Sequence, residues 1–286
     1  MSGLRYCLDD RWLAPGEAAL TPASGVIASG AGWFETLRVE SGRPMFESAH
    51  LERLEKSIAR AYGAERGTAE AEFAGHAARR CIGTMSSAFG QYPSGRLRVL
   101  LSRDESRVTA DNGAWQALGE WSEHRSSETS LTQGIDVVIA SFAHPGLGFL
   151  GKSASYHWSL AAREEALARG ASEALLLREG QVIEGATGAI AWRESGRWFV
   201  HESPAALQSV TVQALRRAGV VLESGSLPSE KLDPACKVPI EGLILVSALR
   251  LAVAIRRCEH HALPEATQTA AQWRQTLLEL HAKDGL

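Results

Sequence analysis

Residues 146–153 read Gly-Leu-Gly-Phe-Leu-Gly-Lys-Ser, which satisfies the spelling G-x-x-x-x-G-K-[ST]. A loop of that kind belongs between a buried strand and a helix, so it constrains the local fold strongly. Both flanks fit the demand. Ile135-Asp136-Val137-Val138-Ile139-Ala140 is an apolar run before it, and Trp158 to Arg169 is a helical stretch after it. Two chemistries then compete for Lys152. Its amine is either a point charge against β/γ-phosphates or a nucleophile that holds a cofactor as a Schiff base.

Composition narrows the field. The chain has 286 residues, about two domains' worth, and 45% of them are apolar. A net charge of −3 leaves no electrostatic footprint for nucleic acid. No apolar run approaches the roughly 20 residues that span a membrane, and Met1 to Tyr6 has no apolar secretion core. The cysteines Cys7, Cys81, Cys236 and Cys258 have the spacing of neither a zinc site nor a disulfide framework. These features together indicate a reduced, cytoplasmic, enzyme-sized protein. Lysine stands only at positions 56, 152, 231, 237 and 283, so a lysine in a Gly-rich apolar loop is conspicuous.

The first half reads as an α/β unit. Arg5 to Leu8 and Arg11 to Leu13 flank the turn-prone pair Asp9-Asp10. Trp33 to Val39 is a strand ended by Ser41-Gly42-Arg43-Pro44. Ser48 is placed to cap a helix whose Leu51, Leu54 and Ile58 share a face, a second helix covers about Ala69 to Ser86, and Leu97 to Leu101 is another strand. The polar, Ser/Thr-rich stretch from Glu120 to Gly134 reads as a linker, dividing the chain into domains 1–128 and 129–286. After Ile135, strands are expected at Ala174–Leu177, Val182–Ile183, Ala189–Trp192, Trp198–Val200, Leu243–Val246 and Leu251–Ile255. Helices are expected at Ser209 to Ala218 and Thr269 to Ala282.

A phosphate-loop protein also needs an acidic residue for magnesium, usually at the end of an apolar strand. Here Ala174-Leu175-Leu176-Leu177 runs into Arg178, Leu243-Ile244-Leu245-Val246 into Ser247, and Val99-Leu100-Leu101 reaches Asp104 only after Ser102-Arg103. That acid is not evident. Two further clusters are set aside. Cys258-Glu259-His260-His261 has metal-ligand types, but adjacent residues on a strand end point apart. His144 lies near the loop with no serine or cysteine nucleophile motif beside it.

The lysine reading gathers more residues. Gly32-Trp33-Phe34-Glu35-Thr36-Leu37-Arg38-Val39 resembles the early strand of the class IV (fold type IV) pyridoxal-phosphate enzymes, which include branched-chain and D-amino-acid aminotransferases and aminodeoxychorismate lyase. His50-Leu51-Glu52-Arg53-Leu54 resembles the family's H-x-x-R-L. Lys152-Ser153-Ala154-Ser155-Tyr156 is similar to its Schiff-base lysine and following tyrosine. Glu173 to Leu177 with Val182-Ile183-Glu184-Gly185 is similar to D-E-A-L-x-L…G-x-v-x-E-g. Leu207 to Leu215 resembles L-x-G-V-T-R-x-x-L, and Ser247-Ala248-Leu249 resembles N-[AS]-L. The resemblance runs in order from about residue 30 to residue 255.

It implies a two-domain fold like that of D-amino-acid aminotransferase, with a smaller N-terminal α/β domain and a larger C-terminal α/β pseudo-barrel. It implies pyridoxal 5'-phosphate as cofactor and a homodimer as the assembly. Lys152 is the implied Schiff-base residue and, once a substrate amine displaces it, the general base and acid. Glu184 would meet the pyridine nitrogen and so sustain the ring as an electron sink. Tyr156 would reach the ring oxygen. Arg53, Ser209, the helix-leading N–H groups of Val210 and Thr211, and Ser247 with Ala248 would bind the phosphate. Arg98 is the candidate for a substrate carboxylate. Thr36 stands where branched-chain aminotransferases tend to carry glycine and lyases often carry threonine. The expected activity is therefore 4-amino-4-deoxychorismate lyase, giving 4-aminobenzoate and pyruvate for folate synthesis. An aminotransferase of branched-chain or D-amino acids is the alternative, and a phosphate-loop nucleotide-binding protein the remote one. Gly30-Ala31-Gly32 replaces the family's G-D-G, Ala189 a usual Asn, Val212 the arginine of V-T-R, and Ser209 its glycine. Gly146, Gly148 and Gly151 read as a flexible connection that delivers Lys152.

Overall fold

The computed structural model describes residues 5–284 apart from 15, 18, 90–93, 125–126, 147 and 234, with the side chain of Phe149 also left undescribed. Contacts divide the chain into two compact units. Met1–Arg125 and Leu150–Tyr156 form the first, and Ser126–Phe149 with His157–Leu286 forms the second. The short segment that carries Lys152 therefore leaves the second half of the sequence and packs with the first.

In the first unit, β1 (Arg5–Leu8) and β2 (Arg11–Trp12) make the expected hairpin, with Asp9 at φ 55° in its turn. A short helix, α1 (Gly25–Ser29), precedes β3 (Gly32–Glu40), and β4 (Arg43–Pro44) follows it. With β5 (Ser94–Arg103) and β6 (Trp115–Glu123) they form a sheet of order β2-β1-β6-β5-β3-β4. Its inner face, including Leu37, Val39, Leu97, Val99 and Trp121, packs on α2 (Glu47–Phe89) through Leu51, Leu54, Ile58, Ala78 and Met85. The helix breaks at Gly63, whose φ of 73° falls where only glycine sits without strain. The two expected helices lie on either side of this kink at Gly63. Ser48 lies inside the first turn, after Glu47, and not at the cap.

The expected linker is mostly regular structure. β6 runs to Glu123, and α3 (Glu128–Gln133) begins two residues after the undescribed pair 125–126, with Ser127 capping it by accepting the Ser130 N–H. Glycines hid β6. Gly119 faces Met85 and Cys81, and Gly95 lies under the Trp121 ring, so each marks a close approach within a strand and not a turn.

The second unit opens with β7 (Ile135–Ile139). It then carries α4 (His157–Ala168), β8 (Glu173–Arg178), β9 (Gln181–Gly185), β10 (Ala189–Glu194) and β11 (Arg197–His201). Next come α5 (Val210–Arg217), β12 (Glu223–Gly225), β13 (Leu227–Pro228), β14 (Gly242–Ser247), β15 (Leu251–Cys258), β16 (His261–Ala262) and α6 (Thr267–Lys283). Among the described residues the strands form one mixed sheet of order β12-β11-β10-β14-β15-β7-β8-β9-β13, with β16 on β15. β7 is parallel to both its neighbours, β15 and β8. One core clusters Ile135, Leu175, Ile190, Leu243, Leu245 and Val253. A second lies under α4 around Ala162, Ala166, Ala174 and Leu176. This is the mixed α/β, sheet-rich architecture the resemblance implies.

No helix among the described residues is long and apolar enough to cross a membrane. Cys7, Cys81, Cys236 and Cys258 are free thiols. At the expected non-site Cys258 to His261, Glu259 accepts the Ile139 N–H and pairs with Arg169.

The two glycine environments separate in a stability test. A Cβ at Gly95 would overlap the buried Trp121 ring, whereas one at the helical, exposed Gly83 meets nothing. Gly95→Ala is expected to lower the urea unfolding free energy by about 2 kcal/mol through overpacking, and Gly83→Ala to raise it by roughly 0.5–1 kcal/mol through helix propensity.

Candidate active site

The first unit builds its cluster on β3. Alternation sends Glu35, Leu37 and Val39 toward α2 and Phe34, Thr36 and Arg38 to the other face. β4 covers only Val39 and Glu40, so the opposite end of β3 has hydrogen-bonding groups to satisfy. Leu150–Tyr156 takes them. The Phe34 N–H donates to the Lys152 carbonyl at 2.8 Å, and the Ala154 N–H donates to the Gly32 carbonyl at 2.8 Å. Trp33 pairs with Ser153, and the Trp33 indole N–H donates to the Leu150 carbonyl at 3.0 Å. Gly151, at φ 71°, turns the chain so close to α2 that a Cβ would lie 2.0 Å from Ser57 Oγ.

Ser153 therefore bridges to β3, Lys152 lies at a bend where the Ser153 N–H donates to the Gly151 carbonyl at 3.0 Å, and α4 starts only at His157. In a phosphate loop the Lys-Ser pair opens the helix. The spelling at 146–153 is coincidental, and the phosphate-loop reading falls with it. The glycines of the stretch have defined local geometry. Gly146 has φ 74°, Gly148 donates its N–H to Ala205, and a Cβ at Gly148 would lie 2.3 Å from the Ala206 carbonyl.

Lys152 Nζ sits 4.8 Å from the centroids of both the Phe34 and Tyr156 rings, which meet edge to face at 5.6 Å. Arg98, the register partner of Thr36, places its guanidinium 4.3 Å from the Phe34 centroid. Its Nε has no hydrogen-bond partner among the described residues. Burial lowers its pKa, opposed by the Glu120 charge. On the other side of β3, Arg53 meets a carboxylate. Its Nε and Nη2 donate to Glu35 Oε1 and Oε2 at 2.8 and 2.5 Å, and His50 Nδ1 is 2.8 Å from Glu35 Oε2. Burial alone would push Glu35 up. The Arg53 charge and the hydrogen bonds from His50 and Arg53 outweigh it and hold the carboxyl at about 2. Burial lowers the His50 pKa despite Glu35, so His50 is neutral at pH 7 and acts as an N–H donor to that carboxylate.

The second unit builds its cluster at the end of β9. Glu184 is buried, accepting His144 Nε2 at 2.9 Å on Oε1 and the Leu207 N–H at 3.3 Å on Oε2. α5 begins at Val210, with Ser209 as N-cap accepting the Val212 N–H at 3.2 Å. The N–H groups of Val210 and Thr211 lead that helix, where no preceding turn supplies acceptors. Val212, where the family pattern has arginine, is buried apolar core. Ser247 ends β14 and accepts the Arg250 N–H at 3.4 Å, with Ala248 in the turn to Leu251, whose φ is 60°. Glu173 is buried, and burial raises its pKa against its hydrogen bond from Thr187.

Lys152, Tyr156, Thr36, Arg98 and Arg53 thus gather around one strand of the first unit. Glu184, Ser209, Val210, Thr211, Ser247 and Ala248 belong to the second. Glu35 and His50 stand inside the motifs quoted above, but no spacing in the sequence marks them as partners of Arg53. His144 stands in no nucleophile motif, and its contact with Glu184 is visible only in the structure.

The amino-transferase class IV family model matches residues 32–258. The chain belongs to that family, and it is a pyridoxal-phosphate-dependent enzyme of fold type IV. Similar solved structures include the pyridoxal-phosphate-bound form of a hypothetical aminotransferase from Mycobacterium tuberculosis, at 21% identity and TM-score 0.78, covering 99% of this chain and 100% of that one. A fold IV transaminase from Curtobacterium pusillum is 20% identical at TM-score 0.76, covering 96% and 99%. The branched-chain amino acid aminotransferase of Escherichia coli is 18% identical at TM-score 0.75, covering 97% and 94%. No curated protein matches the sequence significantly.

Glu35 supplies an acid-sensitive term. Its folded pKa is depressed, so its stabilisation is complete above the ordinary value of 4.5 and is lost as pH falls toward about 2. Glu35→Gln is expected to cost about 3–5 kcal/mol at pH 7 by leaving Arg53 without its buried partner. The gap to the wild type should narrow by about 2 kcal/mol between about pH 6 and pH 3, read from urea midpoints.

Proposed function

We propose that the enzyme is a 4-amino-4-deoxychorismate lyase that forms 4-aminobenzoate and pyruvate. The observation that carries the reading is the pairing of Lys152 and Arg98 around Phe34: an amine and an under-satisfied guanidinium share one aromatic ring, with Thr36 beside Arg98. Such a pair suits a substrate with a carboxylate near the reacting amine.

The donor set fits the cofactor. Among the described residues Glu184 accepts one hydrogen bond on each oxygen, and a carboxylate oxygen has capacity for a further donor such as a protonated ring nitrogen. Glu35 orients the Arg53 guanidinium through Nε and Nη2, and a guanidinium held in that way suits a phosphate. Val210 and Thr211 offer helix-leading N–H groups with Ser209 at the cap, and Ser247 and Ala248 offer a hydroxyl and backbone groups at the end of β14. Tyr156 offers its hydroxyl to the ring oxygen. When bound, pyridoxal 5'-phosphate supplies an electron sink for charge on the carbon beside the substrate nitrogen.

In this reading Lys152 is the covalent attachment point and, once released, moves the proton at its Nζ. The Phe34 and Tyr156 rings limit where that amine goes, and pairing of its backbone with β3 fixes its root. Arg98 holds the substrate carboxylate, and the Thr36 hydroxyl orients the reacting end. A homodimer in the cytoplasm is part of the same proposal, as is the division of labour between domains 1–128 and 129–286, with Lys152 contributed to the first.

Aminotransfer between a branched-chain or D-amino acid and a keto acid is the second reading, favoured by the transaminases among the similar structures. Product analysis decides. Purified enzyme given 4-amino-4-deoxychorismate should release 4-aminobenzoate and pyruvate with no keto acid added. Turnover only with an acceptor keto acid would overturn the lyase assignment in favour of aminotransfer. Arg98→Ala should raise KM for a carboxylate substrate about 10- to 100-fold, the loss of one charge-assisted pair, with kcat changed less.

A further inference from the structure

We propose that His144 is a positioning residue that aims the Glu184 carboxylate at the cofactor's ring nitrogen. The inference rests on the reading that Glu184 meets that nitrogen.

His144 is itself tightly placed. Its side chain is fully buried, and its ring lies 4.9 Å from the Trp158 ring at 70°. Its backbone N–H donates to the Leu177 carbonyl at 2.7 Å. The Gly146 N–H lies 3.0 Å from His144 Nδ1. An amide N–H only donates, so Nδ1 must accept, and the ring proton resides on Nε2. That nitrogen faces Glu184 Oε1 at 2.9 Å. The chain's own backbone thus selects the tautomer that donates to the carboxylate.

The choice of a neutral donor has a consequence. An arginine or lysine at this place would draw the carboxylate's charge into an ion pair. Neutral His144 supplies one hydrogen bond and no charge, so the negative charge on Glu184 stays available to a protonated ring nitrogen. The Leu207 N–H restrains the other oxygen in the same uncharged way. His201 is the further titratable group that feels this pair. Burial lowers its pKa, opposed by the Glu184 charge, and its Nε2 contacts Ser203 Oγ at 2.9 Å. Gly146 acquires a purpose in this scheme. Its φ of 74° turns its N–H back onto His144 two residues earlier.

The test compares two cofactors by binding alone: pyridoxal phosphate and its 1-deaza analogue, in which a C–H replaces the ring nitrogen. Wild-type apoenzyme should prefer pyridoxal phosphate by about tenfold or more, the worth of one charge-assisted contact. His144→Met, which keeps bulk and loses the donor, should erase most of that preference while binding the analogue as the wild type does. His144→Gln, whose amide nitrogen reaches the place of Nε2, should retain the preference. His144→Asn, one bond shorter, should lose it. Equal weakening toward both cofactors in His144→Met would make the residue merely structural and overturn the proposal, as would an unchanged preference. Should His144→Met fail to fold, the contrast between Gln and Asn decides by the same criterion. Failure of the parent reading looks different: wild type and Glu184→Gln would then bind both cofactors alike.

Discussion

The account hangs on two backbone hydrogen bonds, from Phe34 N–H to the Lys152 carbonyl and from Ala154 N–H to the Gly32 carbonyl. They exist because β4 covers only the far end of β3, leaving donors and acceptors at Gly32 to Phe34 that need partners. Leu150–Tyr156 fills the vacancy as a strand-like segment, at the cost of leaving its sequence neighbours in the other unit. Gly151 permits the turn against Ser57. A lysine whose carbonyl is tied to a strand has its root fixed, and this precision matters more for chemistry than the loop spelling around it.

β3 then works on both faces. Its outward side chains, Phe34 and Thr36, meet Lys152 and Arg98. Its inward Glu35 anchors Arg53 and His50 on α2. Strand alternation alone separates the Phe34 ring that meets the Lys152 amine from a buried ion pair at the next residue, Glu35. The second unit repeats the strategy at Glu184, where uncharged donors from His144 and Leu207 orient a carboxylate without neutralising it.

Much of this was legible in the sequence. Apolar runs bounded by turn pairs located β7, β8, β9, β10, β14 and β15, and Ser209 marked the start of α5. The motifs around Glu35, Arg53, Lys152 and Glu184 carried the family. What escaped has physical reasons. β6 contains Gly119, which looks like a break until Met85 and Cys81 are seen packed against it. Gly146, Gly148 and Gly151 look flexible in a string of letters, yet each is held by a hydrogen bond or a close contact. His144 has no motif, because its role depends on a tautomer that a backbone N–H selects. The excursion of Leu150–Tyr156 into the first unit answers an unpaired strand end more than a hundred residues earlier, which no local pattern records.

The central claim is that Lys152 is the cofactor's covalent anchor. Borohydride reduction of the holoenzyme, followed by proteolysis and mass spectrometry of the peptides, addresses it most directly. The account predicts a phosphopyridoxyl group on Lys152 and none on Lys56, Lys231, Lys237 or Lys283, with no fixation in Lys152→Ala. A stably reduced adduct on any other lysine, or undiminished fixation in Lys152→Ala, would contradict it.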